Sequence, residues 1–149
     1  MKFKNIVYIQ GQISKIYQLF YNIKNWPSVL PHVKAVEMIS DDGINQHLIM
    51  DVSSGGKIEK LETYRNCKEN EKISFHQPFP PHPLKIHKGE WQFFVEQQRV
   101  KVIAEHNIEV KFPSLLNAVF SWVAWNFFIK KNSMATLTTI KNTIERDKP

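Results

Sequence analysis

The middle of this chain is a run of β-rich segments separated by short turns, and this run restricts the possible folds more than any other feature. Alternating apolar and polar residues predict six strands, at residues 33–39, 46–52, 58–66, 72–77, 85–96 and 99–110. Turn-forming residues such as those at 41–43 and 53–56 separate them. Because such short gaps leave no room for a crossover helix, we expect consecutive strands to pair antiparallel.

The residues before this run predict one further strand and short helices. Residues 2–9 alternate as a strand does, and Gly11 ends the alternation. Ser14 is suited to cap the helix that follows. We expect that helix to end near Asn25, because the residue before Pro27 disfavours helical geometry. A short helical turn is expected directly after it.

The last third of the chain predicts a long helix. Met134, Leu137 and Ile144 recur at helical spacing, so their side chains would face a core. An unbroken helix over residues 114–146 would be roughly 50 Å long at ~1.5 Å per residue, which is longer than a domain of this size needs. We therefore expect a break near residues 131–133, or an irregular segment before it.

Together these elements predict an α+β fold. A curved antiparallel sheet must cover its apolar face, and one long helix can do so while leaving a cavity beneath it. We expect a curved seven-stranded antiparallel sheet wrapped around the long C-terminal helix, with short helices after the first strand. The 149 residues suit a single domain, predicted over residues 1–149.

Charge and composition narrow the partners. The formal net charge of +6 favours an acidic partner, but the lysines are dispersed and no arginine-rich run or nucleic-acid motif occurs, so we expect no nucleic-acid binding. Cys67 is the only cysteine, so no internal disulfide can form, as in a reducing compartment. With this lone cysteine, the spacing of the histidines predicts no metal site.

No segment predicts a signal peptide or a membrane span. The N-terminal residues read as a strand rather than as a leader. The most apolar stretch, residues 115–129, contains asparagine and serine and is shorter than the ~20 residues that cross a bilayer. We therefore expect a cytoplasmic protein without stable membrane insertion, either a monomer or a homodimer.

Four segments occur in an order that resembles a known superfamily. They are residues 25–33 (Asn-Trp-Pro-Ser-Val-Leu-Pro-His-Val), 63–65 leading to 73–77, 89–93 followed by 105–108, and 132–137 running into 140–145. Their combination resembles the START-like (helix-grip, Bet v 1-like, SRPBCC) superfamily and, within it, the polyketide cyclase/dehydrase group. It is most similar to the aromatase/cyclases of bacterial type II aromatic polyketide pathways. The resemblance covers nearly the whole chain.

The resemblance implies an activity and partners. Such enzymes take a linear poly-β-ketone tethered to an acyl carrier protein of a type II polyketide synthase, fold it in a cavity, and promote regiospecific aldol cyclisation and dehydration to an aromatic ring. No cofactor is implied. Because ring closure is unimolecular, holding one reactive conformer supplies much of the acceleration, and dry walls suppress competing reactions.

Three residues are expected to be catalytic. By alternation Arg65 shares a strand face with Thr63, and the resemblance implies that this face lines the cavity. A guanidinium there could bind a developing enolate or alkoxide oxygen, with Thr63 bonding a ketone. His106 could move protons near neutral pH, although Asn107 stands where relatives often carry an acid.

Five further residues are expected to contact substrate. Trp26 and Trp91 could wall the cavity or stack on the forming ring. His76 and Gln77 fall where relatives often pair an arginine with a glutamine. Val33 stands where some relatives carry a tyrosine, so a mechanism that needs that phenol cannot operate here.

Two other functions remain open. A closed apolar cavity equally suits a non-catalytic carrier of a lipid, quinone or other hydrophobic small molecule. A partner-binding module could instead use an aromatic cluster, formed by Phe112, Phe120, Trp122, Trp125, Phe127 and Phe128. Polar groups converging on the cavity would favour the cyclase over the carrier.

Overall fold

The computed structural model describes residues 1–146, and its strands form one seven-stranded sheet. The strands are β1 (Lys2–Gln10), β2 (Val33–Asp41), β3 (Asn45–Ser54), β4 (Lys57–Lys68), β5 (Lys72–Gln77), β6 (Leu84–Glu96) and β7 (Arg99–Val110). Their order in the sheet is β1-β7-β6-β5-β4-β3-β2, with every neighbouring pair antiparallel. The predicted strands are all present, with ends that differ by a residue or two, and the predicted meander is confirmed.

Two helical regions complete the described chain. The helical elements are α1 (Ile13–Tyr21), a 3₁₀ turn (Ile23–Asn25), α2 (Trp26–Val29), α3 (Ser114–Ala124), a π-helical turn (Trp125–Ile129) and α4 (Lys130–Arg146). The predicted α+β class, with a curved sheet around a long C-terminal helix and short helices after the first strand, is confirmed. The sheet is continuous across the described residues, and a single domain over 1–149 stays a prediction.

Alternation along each strand separates the two faces of the sheet. On β7 every second side chain from Val100 to Val110 is buried, while its neighbours such as Lys101 and Glu105 are partly exposed. This period of two is what a sheet with one covered face requires. The same alternation makes β4 inward-facing at Leu61, Thr63 and at every second residue beyond.

Glycines allow two tight features. Gly55 and Gly56 form the turn between β3 and β4 with φ of +58° and +80°, a conformation that side-chain-bearing residues rarely adopt. Gly89 on β6 faces His106 on β7, and a Cβ there would overlap the carbonyl oxygen of Glu105. The absence of a side chain at Gly89 therefore lets β6 and β7 approach closely beside the cavity.

The sequence misplaced the cap of α1 and left two positions open for the irregularity of the C-terminal helix. Ser14 does not cap α1; the N-cap is Gln12, whose carbonyl oxygen accepts from the amides of Lys15 and Ile16 at 3.1 Å. The break expected near residues 131–133 is absent, and the alternative, an irregular segment before it, is confirmed. The irregularity is the π-helical turn at Trp125–Ile129, after which α4 runs on to bury Leu137 and its neighbours against the sheet.

None of the helices among residues 1–146 combines the length and the apolar character that crossing a bilayer demands.

Candidate functional site

A cavity of about 330 Å³ lies between the inner face of the sheet and the C-terminal helical segments. Its volume falls at the lower end of the ~300–1,000 Å³ typical of small-molecule sites. Most of its lining is apolar. The apolar side chains include Ile23, Met50, Val52, Leu61, Phe75, Leu84, Ala124 and Ile129.

Four polar side chains form one hydrogen-bonded chain along the cavity wall. Oε1 of Gln77 on β5 lies 2.7 Å from Nδ1 of His87 on β6, and Nε2 of His87 lies 3.1 Å from Nδ1 of His106 on β7. Nε2 of His106 lies 3.1 Å from Oγ of Ser133 on α4. All four residues are buried and all line the cavity. We call this set the polar chain.

The amide end of the polar chain fixes the donor and acceptor roles along it. Oε1 of Gln77 can only accept, so Nδ1 of His87 carries the proton, and Nε2 of that neutral ring accepts. Nδ1 of His106 therefore donates to His87, which leaves Nε2 of His106 unprotonated towards Ser133. The arrangement presents one basic nitrogen, oriented by two residues behind it.

Burial keeps both imidazoles neutral. Desolvation lowers the pKa of His87 to about 4. The pKa of His106 also lies well below its usual value, first because of burial and second because of the neighbouring His87. Aromatic rings account for this dry setting: Phe75 lies 5.5 Å from each imidazole, and Trp125 lies 5.3 Å from His106, between ring centroids.

A second polar pair borders the same cavity. The hydroxyl of Thr136 donates to the carbonyl oxygen of Asn132 at 2.9 Å, so its oxygen accepts from Nε2–H of His32 at 3.1 Å. Desolvation by burial, together with Lys34, lowers the pKa of His32. The charged residues that line the cavity, Lys57 and Glu59, follow the turn between β3 and β4.

Six of the eight predicted site residues line this cavity. They are Thr63, His106, Trp26, Gln77, Trp91 and Val33. The hydroxyl of Thr63 is buried and donates to the carbonyl oxygen of Leu61 at 3.4 Å. The structure joins His106 and Gln77 through His87.

Arg65 is buried but lies outside the cavity lining. Its guanidinium donates to the carbonyl oxygens of Phe20 at 2.5 Å and Tyr21 at 3.3 Å, which end α1, and to Oε1 of Gln46 at 2.8 Å. Nε2 of Gln46 in turn donates to Oδ2 of Asp41 at 3.2 Å. Burial lowers the pKa of Arg65 to about 10, so the group stays cationic near pH 7.

The two cavity tryptophans stand next to this guanidinium. Its central carbon lies 5.5 Å from the ring centroid of Trp26 and 5.8 Å from that of Trp91, within cation–π range. The two rings themselves pack edge to face at 5.8 Å. The structure thus places Arg65 beside the wall residues, not next to His106, and a catalytic role for Arg65 stays a prediction.

His76 is not in the cavity. It is exposed on the outer face of β5, near Tyr64, whereas Phe75 and Gln77 on either side of it face inward. The physical reason is strand alternation: adjacent residues point to opposite faces, so His76 and Gln77 cannot both contact one ligand inside.

Sequence reasoning missed His87 and Ser133. Both carried a usable signal. His87 lies four residues before Trp91 on one predicted strand, which places the two side chains on the same face. Ser133 lies four residues before Leu137, which was already expected to face the core, and residues four apart share one side of a helix.

The chain matches known families in sequence and in structure. Residues 9–128 match the model of a family described as "Polyketide cyclase / dehydrase and lipid transport". The granaticin polyketide synthase bifunctional cyclase/dehydratase of Streptomyces violaceoruber is 26% identical over 110 residues, which are 72% of this chain and 34% of that protein.

Solved structures give the same picture. The di-domain ARO/CYC StfQ from the steffimycin biosynthetic pathway superposes with a TM-score of 0.87 at 25% identity, covering 97% of this chain and 51% of that one. The Zhui aromatase/cyclase from Streptomyces sp. R1128 has the same fold, with a TM-score of 0.86 at 15% identity over 98% of this chain and 94% of that one. The chain spans about one third of the granaticin protein and about half of StfQ.

The buried histidines predict an acid-sensitive fold. Between ~6.5, the usual histidine pKa, and about 4, the pKa of His87 in the fold, the unfolded chain binds a proton that folded His87 does not. The free energy of unfolding therefore falls as pH is lowered through this window, by at most ~1.4 kcal/mol per pH unit for this one residue. Urea unfolding between about pH 7 and pH 4 measures the slope.

The variant His87→Phe should flatten that slope, since it removes one of the groups that titrate only on unfolding. The matched control is His76→Phe, because His76 is exposed on the outer face of the sheet. An identical slope in native protein and His87→Phe would show that His87 titrates normally in the fold.

Proposed function

The chain belongs to the polyketide cyclase/dehydrase and lipid transport family, and we propose that it is an aromatase/cyclase that closes and dehydrates a ring in a poly-β-ketone presented by an acyl carrier protein. The observation that carries the proposal is the polar chain, which holds a basic nitrogen of His106 next to Ser133 at the wall of a largely apolar cavity. The partial match to longer relatives makes the substrate and the partner part of this proposal.

The first step is removal of a proton from a methylene group between two ketones. Nε2 of His106 is the base, and it is neutral at neutral pH because burial lowers its pKa. In the free protein Ser133 donates to that nitrogen. When a substrate ketone enters, the Ser133 hydroxyl can turn to donate to the ketone oxygen, which frees Nε2 and stabilises the enolate oxygen.

Carbon–carbon bond formation follows within the same molecule. The enolate carbon attacks a second ketone of the folded chain, and the resulting alkoxide takes the proton held by His106. Loss of water then needs one further proton removed from carbon and one delivered to the departing hydroxyl, and His106 with Ser133 can exchange both. The base is regenerated, so the sequence needs no external oxidant or reductant.

His87 and Gln77 act as positioning residues in this proposal. They hold His106 in the tautomer with Nδ1 protonated, since Nε2 of His87 accepts from it. A carboxylate at this place would stabilise the charged imidazolium, whereas the neutral His87 does not. The polar chain therefore orients the base, His106, but adds little electrostatic stabilisation to its protonated form.

Arg65 also enters as a positioning residue. Its hydrogen bonds to the end of α1 and its contacts with Trp26 and Trp91 support the wall on which the substrate would lie. A wall that holds one folded conformer lowers the entropic part of the barrier and decides which ring is closed.

The carrier function remains the second candidate, because most of the cavity lining is apolar. A carrier needs neither the basic nitrogen of His106 nor the hydroxyl of Ser133. Variants of these two residues therefore distinguish the two functions.

The test supplies a carrier-tethered poly-β-ketone and compares product profiles by liquid chromatography and mass spectrometry. His106→Phe should lower the rate of regiospecific ring formation by ~10²–10⁴-fold, the range for loss of a general base. Ser133→Ala should lower it less, since the base remains. His76→Ala, altered on the outer face, is the control and should match the native protein.

Unchanged product from His106→Phe and Ser133→Ala, with both variants folded, would remove the enzymatic proposal. Retained binding of the substrate or product by those same variants would then favour the carrier.

The variant Arg65→Met distinguishes a positioning role of Arg65 at the cavity wall from a catalytic role. It removes the guanidinium that donates to three acceptors, two of them in buried hydrogen bonds, so we expect the free energy of unfolding to fall by about 2–4 kcal/mol. Per folded molecule, the overall rate of substrate consumption should fall little, while the proportion of products in which the wrong ring has closed should rise. A fully folded Arg65→Met that consumes no substrate would instead make Arg65 a catalytic residue.

A further inference from the structure

Helix α3 turns most of its large apolar side chains outward. Leu115 is 92% exposed, Val119 is 59% exposed and Trp122 is 54% exposed. These residues are four and then three positions apart, so they form one stripe along the helix. Leu116, beside them, is also exposed.

The inward face of α3 has one large apolar side chain, the partly buried Phe120, beside residues that are small or polar. Ser121 and Ala124 are its buried residues. Nδ2 of Asn117 donates to the carbonyl oxygen of Val110 at 2.9 Å, and the Ser121 hydroxyl donates to Oδ1 of Asn117 at 3.2 Å. A helix on the surface of a soluble protein normally has the opposite polarity, with its apolar stripe towards the core.

The π-helical turn continues this exposed face to the cavity. Phe127 is 69% exposed and Phe128 is 53% exposed. Phe128 also lines the cavity, and its carbonyl oxygen accepts from the hydroxyl of Ser54, the last residue of β3, at 3.3 Å. We call the exposed side chains of Leu115, Leu116, Val119, Trp122, Phe127 and Phe128 the α3 surface.

Along the sequence, the nearest charged residues on either side of the α3 surface are lysines. Lys111 precedes α3, and Lys130 and Lys131 follow the π-helical turn; all three are exposed. The sequence has no aspartate or glutamate between Glu109 and Glu145. Within residues 1–146, none of these three lysines takes part in an ion pair of the structure.

We propose that the α3 surface docks the protein reversibly on a bilayer that contains anionic lipid. Leucine, tryptophan and phenylalanine would enter the boundary between headgroups and acyl chains, while the flanking lysines contact anionic headgroups, as in interfacial amphipathic helices. Because Phe128 belongs both to this surface and to the cavity lining, docking would bring that edge of the cavity next to the lipid. An apolar ligand or product could then pass between cavity and bilayer without crossing water.

Charge and exposure favour a membrane over protein partners. A second copy of this chain packed two-fold on the α3 surface would bring both sets of lysines to one interface, and like charges oppose that. An acidic carrier protein matches the charge, but a transient contact of that kind needs no more apolar surface than an average protein surface offers. A row of strongly protruding side chains such as Leu115 suits insertion into a fluid layer instead.

Vesicle sedimentation tests the proposal with the full chain. We expect the protein to sediment with vesicles made from phosphatidylcholine and phosphatidylglycerol, and about tenfold less with phosphatidylcholine alone. Raising the salt from about 0.1 M to 0.5 M should weaken the binding. Tryptophan emission should shift to the blue on binding, and Trp122→Phe should remove most of that shift.

Two pairs of variants give matched controls. Leu115→Ser should weaken vesicle binding at least tenfold, whereas Val95→Ser, at a residue 61% exposed on β6, should leave it unchanged. The double variant Lys130→Glu with Lys131→Glu should lose binding to the anionic vesicles, whereas Lys88→Glu, exposed on β6, should retain it.

Three results would overturn the proposal. The first is no sedimentation with either vesicle, and the second is equal losses in the test and control variants. The third is a protein that binds no vesicles but loses a protein contact on the substitution Leu115→Ser. That loss would be seen as a dimer that dissociates in ultracentrifugation, or as lost binding to a purified acidic carrier protein. None of the substituted residues belongs to the polar chain, so these results are independent of the catalytic proposal.

Discussion

Buried polar atoms beside an apolar cavity lack water as a dependable hydrogen-bond partner, so they must form hydrogen bonds with one another. The polar chain meets this constraint with four residues from four elements. Its order is directional: the acceptor-only oxygen of Gln77 fixes His87, and His87 fixes His106. The same burial that makes charged histidine unfavourable keeps both rings neutral. One set of hydrogen bonds therefore satisfies these buried groups and also leaves Nε2 of His106 unprotonated.

A second set of buried groups supports the cavity from its other side. Arg65 bonds the carbonyl oxygens that end α1, and Gln46 links it to Asp41, so a cation and a carboxylate are joined through a neutral amide. The guanidinium lies close to Trp26 and Trp91, whose rings line the cavity. The arrangement separates the residues that shape the wall from those that can exchange protons.

The pattern of apolar and polar residues predicted those parts of the structure that depend on neighbours along the sequence. Alternation along the strands predicted the sheet and put Arg65 on the same strand face as Thr63, and both residues are buried. Alternation could not predict whether Arg65 lines the cavity or bonds the end of α1, because that depends on where α1 ends in space. Alternation also separates His76 from Gln77, and applying it consistently would have excluded His76 and included His87. An irregular segment before residue 131 followed from the excessive length of an unbroken helix, but its π-helical form did not, because that backbone adjustment depends on packing and has no residue signal.

Nuclear magnetic resonance of the imidazole nitrogens tests the central claim, the fixed neutral state of the polar chain, most directly. Long-range ¹H–¹⁵N spectra should show His87 and His106 as neutral rings protonated at Nδ1, the less common tautomer in water, and unchanged from about pH 7 down to about pH 5, because burial lowers both pKa values. Rings protonated at Nε2, or a titration of either histidine near the ordinary value of ~6.5, would contradict the account.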